Sequence, residues 1–450
     1  MSSASDRKEA EEFKASVSGT SDETVDLSRE PSSQQTPIYE DIYLDGNIIQ
    51  GLNPPIRLLE RIGRGGEASV YRAEKISSFP TDVAVKVSRT DDASRVALLN
   101  EARRTKDLRH HTIIGIQDHH TGRDRDFIVM DFVEGPDAAK VLADHNNLGL
   151  QVAPQIPAFT AWAACEGLKV AHKPLYRDGN LVRPGVIHRD INPKNILYHE
   201  AGGSPIIADF GIGLPLDENG LIVGGGIGGK VGWIAPELFE DGVSVDARAD
   251  IYSLGMTMDT MITGSNPLRD SIPSTVDPKT AAAIYRDNQL EGMPLLEERS
   301  AGVPSALADI VRKATAFGRN DRYQTASELR KDLTHLYLYP PGVGYSMTRE
   351  AVHTYLGVIG DLTAQVSETG APQEKWSEVL GNEREIDLET FNDAVGSLGF
   401  LVKKRKVIRE ERGPNPVEEP YLRLKKLDGG PITLREKGYK VPDKDLGDVE

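Results

Sequence analysis

The 450-residue sequence predicts an α+β chain: a small β-rich N-terminal lobe, a larger helical lobe and a small C-terminal α+β module. Three patterns carry that expectation. Runs at 56–62, 69–75 and 82–88 read as strands, and glycines crowd the first turn between them, which is the mark of a strand meander. From 93 onward the apolar spacing becomes helical, at 93–108 and again at 157–172, and a short apolar run, Phe127-Ile128-Val129-Met130, reads as a buried strand between those two stretches. Past Pro340-Pro341-Gly342 the pattern changes once more, with helices expected at 346–368 and 385–398 and strands at 400–409 and 421–439, the last folded about Asp428-Gly429-Gly430. The expected organisation is a tail over 1–45, the two-lobed domain over 46–338 and the module over 339–450.

Composition narrows the function. A hydrophobic content of 38% suits a globular core, whereas residues 1–35, rich in Ser, Thr, Glu and Asp, bury too little surface to offset their ordering entropy and read as a disordered tail. A net charge of −16 argues against broad binding to nucleic acid or anionic membrane, since both would be repelled. Cys165 is the single cysteine, so no intrachain disulfide can form, and its apolar helical surroundings favour packing over a reactive thiol. The polar start lacks the apolar core of a signal peptide, and no run approaches the roughly 18 apolar residues of a membrane span. The expectation is a soluble, cytoplasmic protein.

The chemistry is concentrated in Val-Ile-His-Arg-Asp-Ile-Asn-Pro-Lys-Asn-Ile-Leu, Val186 to Leu197, which sets a carboxylate and an amide five residues apart between two apolar runs. That layout suits phosphoryl transfer: Asp190 would orient the proton of an attacking hydroxyl, and Asn195 would hold a Mg²⁺ that offsets charge developing on the phosphate. A second metal-binding carboxylate, Asp209, follows in Ile206-Ile207-Ala208-Asp209-Phe210-Gly211. With these motifs in this order, the sequence resembles the eukaryotic-like (Hanks-type) serine/threonine protein kinases, in particular the bacterial ones, and the stretch that does so runs from about Ile56 to Tyr337.

The resemblance implies ATP and Mg²⁺ as cofactors, proteins as substrates, and a role for each matching residue. Gly63-Arg64-Gly65-Gly66 would let backbone amides approach the phosphates. A G-x-G-x-x-A match alone also fits a dinucleotide fold, but here Val70, Tyr71 and Arg72 continue as a strand where that fold needs a helix. Lys86, in Val83-Ala84-Val85-Lys86, would grip the α and β phosphates and pair with Glu101 on the following helix. Met130 would be the gatekeeper, the backbone of Asp131 and Val133 would bond the adenine edge, and Val70, Ala84 and Leu197 would sandwich its ring. Asp250 would anchor the catalytic loop, and Arg322 would pair with Glu237. Pro193 favours Ser/Thr over Tyr specificity.

Four features depart from the family pattern. Thr105 stands one turn past Glu101 where Leu or Met is usual, which would hold that helix less firmly. The stretch 173–180 is an insertion that reads as a surface loop. No Ser, Thr or Tyr lies between Asp209 and Glu237, so that segment cannot be phosphorylated, and Arg189 would need another anion, Asp217 or Glu218 being nearest in sequence. Finally Asn192 replaces the usual Lys two residues after the catalytic Asp, and Lys230 replaces the usual Thr of the segment before Ala235-Pro236-Glu237. These positions are neighbours in family geometry, so Lys230 would supply the missing cation to the γ-phosphate; the plainer reading is a solvated loop lysine beside a simple loss. An active kinase and a nucleotide-binding pseudokinase or scaffold acting through its C-terminal module are the two functions these features leave open.

Overall fold

A computed structural model of the chain describes residues 43–200, 203–217, 219–222, 228–240, 243–300, 303–338, 349–368, 421–425 and 431–435. The expected tail before 43, the helix at 385–398, the strand at 400–409 and the turn at Asp428-Gly429-Gly430 lie outside them. The three predicted strands form as β3 (Ile56–Arg64), β4 (Ala68–Lys75) and β5 (Thr81–Ser88). Two short strands that sequence reading missed, β1 (Tyr43–Asp45) and β2 (Ile48–Gln50), extend the sheet at one edge. With β6 (Ile116–Thr121) and β7 (Asp126–Asp131) they make a seven-stranded sheet ordered β1-β2-β3-β4-β5-β7-β6. Its alternating inward residues Ile56, Leu58, Val83, Val85, Val87, Phe127 and Val129 form one core.

Helix α1 (Asp92–Thr105) packs on that sheet through Leu98 and Ala102, and Asp91 caps it by accepting from the Ser94 amide at 2.9 Å. It stops three residues before the expected end. Thr105 is buried and turns its hydroxyl back to the Glu101 carbonyl at 2.7 Å, so the position is filled by a local bond rather than by a large apolar side chain.

The second lobe is organised by α2 (Ala138–Leu148), α3 (Gln155–Ala171) and α4 (Arg248–Thr263), with α5 (Pro278–Glu291), α6 (Ser305–Ala314) and α7 (Ala326–Asp332) around them. Helix α4 is buried nearly all round, and its polar side chains Ser253, Thr257, Thr260 and Thr263 satisfy themselves on carbonyls four residues back. Gly255 permits a close approach of α6 to α4, since a Cβ there would lie 2.8 Å from Ala314 Cβ. Arg322 and Glu237 form the expected pair, two parallel bonds of 2.8 Å, fully buried, with the Arg322 guanidinium also donating to the Ala316 and Phe317 carbonyls.

The 173–180 insertion is a correction to the sequence reading. Instead of a loop it is a β-hairpin, β8 (Leu175–Arg177) against β9 (Asn180–Arg183), turned by Asp178 and Gly179 in left-handed conformations. Its base is held by Arg183, whose guanidinium donates to the carbonyls of Val170, Ala171 and Lys173 at the end of α3.

Helix α8 (Arg349–Glu368) returns to the large lobe, and Val352, Tyr355 and Ile359 bury themselves in its core. Strands β14 and β15, Tyr421–Lys425 and Pro431–Arg435, pair antiparallel, as the expected hairpin requires. At the α8 seam, His145 Nδ1 lies 2.7 Å from the Val141 carbonyl and therefore carries the proton. Its Nε2 accepts from the Tyr355 hydroxyl at 2.7 Å, and that oxygen accepts in turn from the Ala153 amide at 3.2 Å. Full burial drives the His145 pKa down to about 4. Above pH 6.5 the ring is neutral folded or unfolded. As the pH falls toward 4 only the unfolded chain takes up the proton, so stability is lost across that window, by up to about 3 kcal/mol at 1.36 kcal/mol per unit. His145→Gln should flatten the dependence of Tm on pH between 6.5 and 4; parallel curves for variant and wild type would refute the assignment.

Candidate active site

The catalytic loop is suspended between two small antiparallel pairs. Strand β10 (Val186–Ile187) pairs with β13 (Leu214–Pro215), and β11 (Ile196–Tyr198) pairs with β12 (Pro205–Ile207). Beneath the loop sits Asp250, in the first turn of α4 and wholly buried. One carboxylate oxygen accepts from the Arg189 amide at 2.8 Å and the other from the His188 amide and His172 Nε2, both also at 2.8 Å. Burial alone would push this carboxyl up, yet the His172 ring and the donated bonds hold it below the usual carboxylate range. The grip forces Arg189 into left-handed backbone at φ 67°, a conformation only a surrounding structure can impose on a non-glycine.

Asp190 is thereby aimed into the cleft. Its Oδ2 accepts from Asn195 Nδ2 at 2.9 Å and its Oδ1 from the Lys230 backbone amide at 3.0 Å, while burial raises its pKa. Asn192 is buried and committed to the loop: its amide nitrogen donates to the Asp190 carbonyl at 2.9 Å and its oxygen accepts from the Lys194 amide at 3.0 Å. Asn192 and Lys230 thus both touch Asp190. The Lys230 ammonium lies over the Trp233 ring, 5.2 Å from its centroid, and burial followed by the Lys194 and Arg269 charges lowers its pKa.

Across the cleft Lys86 binds both lobes together. Its ammonium lies 2.7 and 2.9 Å from the two Glu101 oxygens and 2.8 Å from Asp209 Oδ1. Burial opposes the charge on Lys86, but the two carboxylates outweigh it and raise the pKa; for Asp209 the Lys86 ammonium overcomes burial and lowers it. Gly211 makes the cluster possible, since a Cβ there would stand 2.9 Å from Asp209 Oδ1 and 3.2 Å from Glu101 Oε2. Asp209, like Arg189, is left-handed, at φ 63°. Phe210 is buried against His188 with ring centroids 4.3 Å apart, and the Ala208 amide donates to the Asn195 carbonyl at 2.9 Å.

The nucleotide candidates border the same cleft. Gly63 faces Val70 in the β3–β4 pair, and the Gly65 amide closes the tip on the Ala68 carbonyl at 2.8 Å. A Cβ at Gly66 would meet nothing, so no packing demand explains that glycine, as expected where a ligand approaches. Ala84 pairs with Met130 in the β5–β7 ladder, and the Asp131 amide donates to the Gly115 carbonyl at 2.9 Å. Val133 and Leu197 are half-buried nearby, Leu197 bridged to Asp137 at the start of α2.

Among the described residues no group of three metal-ligating His, Cys, Asp or Glu side chains occurs. The Asp209 carboxylate and the amide oxygen of Asn195, whose nitrogen is tied to Asp190, are hard oxygens of the kind that suits Mg²⁺. A Mg²⁺ held there would complete its shell with water and phosphate oxygens.

Arg189 donates to the Ile212 carbonyl at 3.4 Å and packs against the activation segment, where a Cβ on Gly229 would lie 2.6 Å from its carbonyl oxygen. Asp217 spends its carboxylate on the Asn219 and Leu221 amides, at 2.9 and 2.8 Å, and Glu218 lies outside the described residues. The roles of the Lys230 amide and of Gly211 were not legible beforehand, because backbone contacts across the fold leave no spacing signal.

A two-lobed fold with a carboxylate–amide catalytic loop facing a lysine–carboxylate cluster defines the class of phosphotransferases built as kinases. A family profile described as "Protein kinase domain" matches residues 56–334, and the chain belongs to that family. It is 30% identical over 281 residues to the probable serine/threonine-protein kinase PknB of Lactococcus lactis, covering 62% of this chain and 41% of the relative. Identity to the serine/threonine-protein kinase PknB of Mycobacterium leprae is 30% over 291 residues, 62% of this chain and 42% of the other. For PknB of Mycobacterium tuberculosis it is 29% over 317 residues, 68% and 46%. The chain therefore spans less than half the length of these curated relatives. No helix among the described residues is long and apolar enough to cross a membrane.

Asp250→Asn keeps the shape but loses the charge that three donors share. The loss of charge-assisted bonds, about 1.5–3 kcal/mol each, should lower Tm by several degrees and cut turnover at least tenfold. Binding of a fluorescent ATP analogue should change far less than turnover; an equal loss of both would mean that Asp250 supports the whole cleft and not the loop.

Proposed function

We propose that this chain is an ATP- and Mg²⁺-dependent serine/threonine protein kinase that needs no phosphate on its activation segment, and that it works in the cytoplasm, where ATP is available and Cys165 stays reduced. The observation that carries the reading is the assembled state of the charge cluster: Lys86 meets Glu101 and Asp209 while Asp190 is held by Asn195 and Lys230, with Gly228 and Gly229 lying against Arg189. In this reading Lys86 steadies the α and β phosphates, Asp209 and Asn195 hold the Mg²⁺ that neutralises charge on the transferred group, and Asp190 orients the acceptor hydroxyl. Gly63, Gly65 and Gly66 bring the β3–β4 tip onto the phosphates. Val70, Ala84 and Leu197 cover the adenine, whose edge meets Asp131 and Val133 beside Met130.

The test is transfer of labelled phosphate from ATP to a generic Ser/Thr protein substrate after phosphatase treatment. Wild type should be active without re-phosphorylation, and Asp190→Asn and Asp209→Asn should each abolish transfer with Tm unchanged within a few degrees. Near wild-type turnover by Asp190→Asn would overturn the mechanism.

A second reading, a nucleotide-binding pseudokinase or scaffold, is favoured by Asn192, which leaves the loop without its usual lysine. In the kinase reading Lys230 replaces that cation by swinging from Trp233 to the γ-phosphate. A cation at this step is commonly worth about 3 kcal/mol, roughly a hundredfold in rate. Lys230→Thr should cost about that factor in kcat, and adding Asn192→Lys should recover much of it; a silent Lys230→Thr would remove the relocated cation and strengthen the pseudokinase reading.

A further inference from the structure

Cations border the acceptor position in a chain that is acidic overall, with a net charge of −16. Three gather around Lys230, close enough for the charges of Lys194 and Arg269 to oppose its own. Lys230 is joined to Asp190 Oδ1 through its own amide, and Lys194 is one bond further, its amide on the Asn192 side chain that in turn donates to the Asp190 carbonyl. Arg269 closes the other side: it packs on Gly232, where a Cβ would lie 3.0 Å from Arg269 Cδ, and the Gly232 carbonyl is pinned at 2.8 Å by Asn266 Nδ2.

The neighbouring carboxylates Asp190 and Asp137 offset part of this charge, but less than Lys194 and Arg269 add to it around Lys230. Asp190 is committed to Asn195 and the Lys230 amide, and Asp137 caps α2 by accepting from the Lys140 amide at 2.6 Å. Asp270 accepts from the Asn266 amide at 2.7 Å and only grazes Arg269, at 4.0 Å with both side chains about half exposed. Neither Lys194 nor Lys230 has an ion-pair partner among the described residues, and Lys194 is exposed. Like charges gathered on one surface raise one another's cost, and an anionic ligand relieves it. Lys230 rests over Trp233 and is assigned to the γ-phosphate in the kinase reading, so Lys194 and Arg269 are the two left to meet whatever flanks an incoming hydroxyl.

Resting on the kinase reading, we propose that Lys194 and Arg269 select protein substrates whose acceptor Ser or Thr is flanked by anionic side chains. The shared chemistry is a carboxylate or a phosphate, and a basic flanking residue is disfavoured by the same charges. Solvent screens both sites, so discrimination should be modest and should shrink in salt.

Four synthetic peptides with one Ser acceptor, flanked on both sides by Glu, phosphoserine, Ala or Lys, test this with purified full-length protein. Wild type should use the Glu peptide with roughly tenfold higher kcat/KM than the Lys peptide, mostly through KM, and the gap should narrow at 0.5 M salt, as exposed pairs do. A phosphoserine peptide that outruns the Glu peptide assigns the site to already phosphorylated substrates; the reverse order assigns it to acidic sequences. The double variant Lys194→Glu, Arg269→Glu should invert the Glu and Lys preferences, with KM for ATP and use of the Ala peptide within about twofold of wild type. Equal use of Glu and Lys peptides, or an order unmoved by charge reversal, overturns the selectivity and leaves the kinase reading intact. No transfer to any of the four peptides, together with no transfer to a generic protein substrate, overturns both.

Discussion

Everything at this site depends on one carboxylate kept charged where no water reaches it. Asp250 is buried inside the large lobe and compensated by two successive backbone amides and a histidine, and an anion so placed is stable only while those donors stay in position. The dependence runs both ways. The amides of His188 and Arg189 can both point at one carboxylate only if the chain turns through a left-handed residue, and that turn delivers Asp190 to the cleft. The catalytic loop is therefore positioned from below by the core helix α4, and the short strands on either side limit its drift.

The second constraint joins the lobes. Lys86 comes from the sheet, Glu101 from α1 and Asp209 from the loop after β12, so a single ammonium records whether three separately packed elements are in register. Burial makes this sensitive, because a carboxylate or ammonium left alone there would cost several kcal/mol. Thr105 shows how the register survives without a large apolar residue behind Glu101: its hydroxyl is satisfied within the helix, and Leu98 and Ala102 supply the packing on the sheet.

Much of this was legible in sequence because it is local. The 56–88 meander, α3, Asp190 with Asn195, and Asp209 in its Asp-Phe-Gly each leave a spacing or motif; the Arg322–Glu237 pair, 85 residues apart, followed only from the family resemblance. What escaped was set by tertiary contacts. The 173–180 insertion is polar enough to read as loop, yet Arg183 ties its base to three carbonyls and lets a hairpin stand. Lys230 was noticed for its side chain, whereas its amide makes the contact to Asp190; every residue but proline carries such a donor, so sequence gives no hint of which are used. Strands β1 and β2 are three residues each, too short for periodicity to register.

The glycines of the activation segment follow from the same logic. A segment without hydroxyls cannot be fixed by a phosphate docking on Arg189, and at its described end close backbone packing on Arg189 takes on part of that work. Gly229 adopts φ 114°, open to glycine alone, and lies so close to the Arg189 carbonyl that any side chain would collide with it; Gly228 meets the guanidinium in the same way. Lys230 then arrives with its amide on Asp190, and Ser253, Asn266 and Gln289 hold the carbonyls of Trp233, Gly232 and Ile234 from the helical lobe. The composition that removes a phosphorylation site is the composition that lets bare backbone approach Arg189. Loss of one kind of control and gain of a steric substitute are thus a single change in sequence, and each glycine in contact with Arg189 is tied to the acidic group that the proposed chemistry needs.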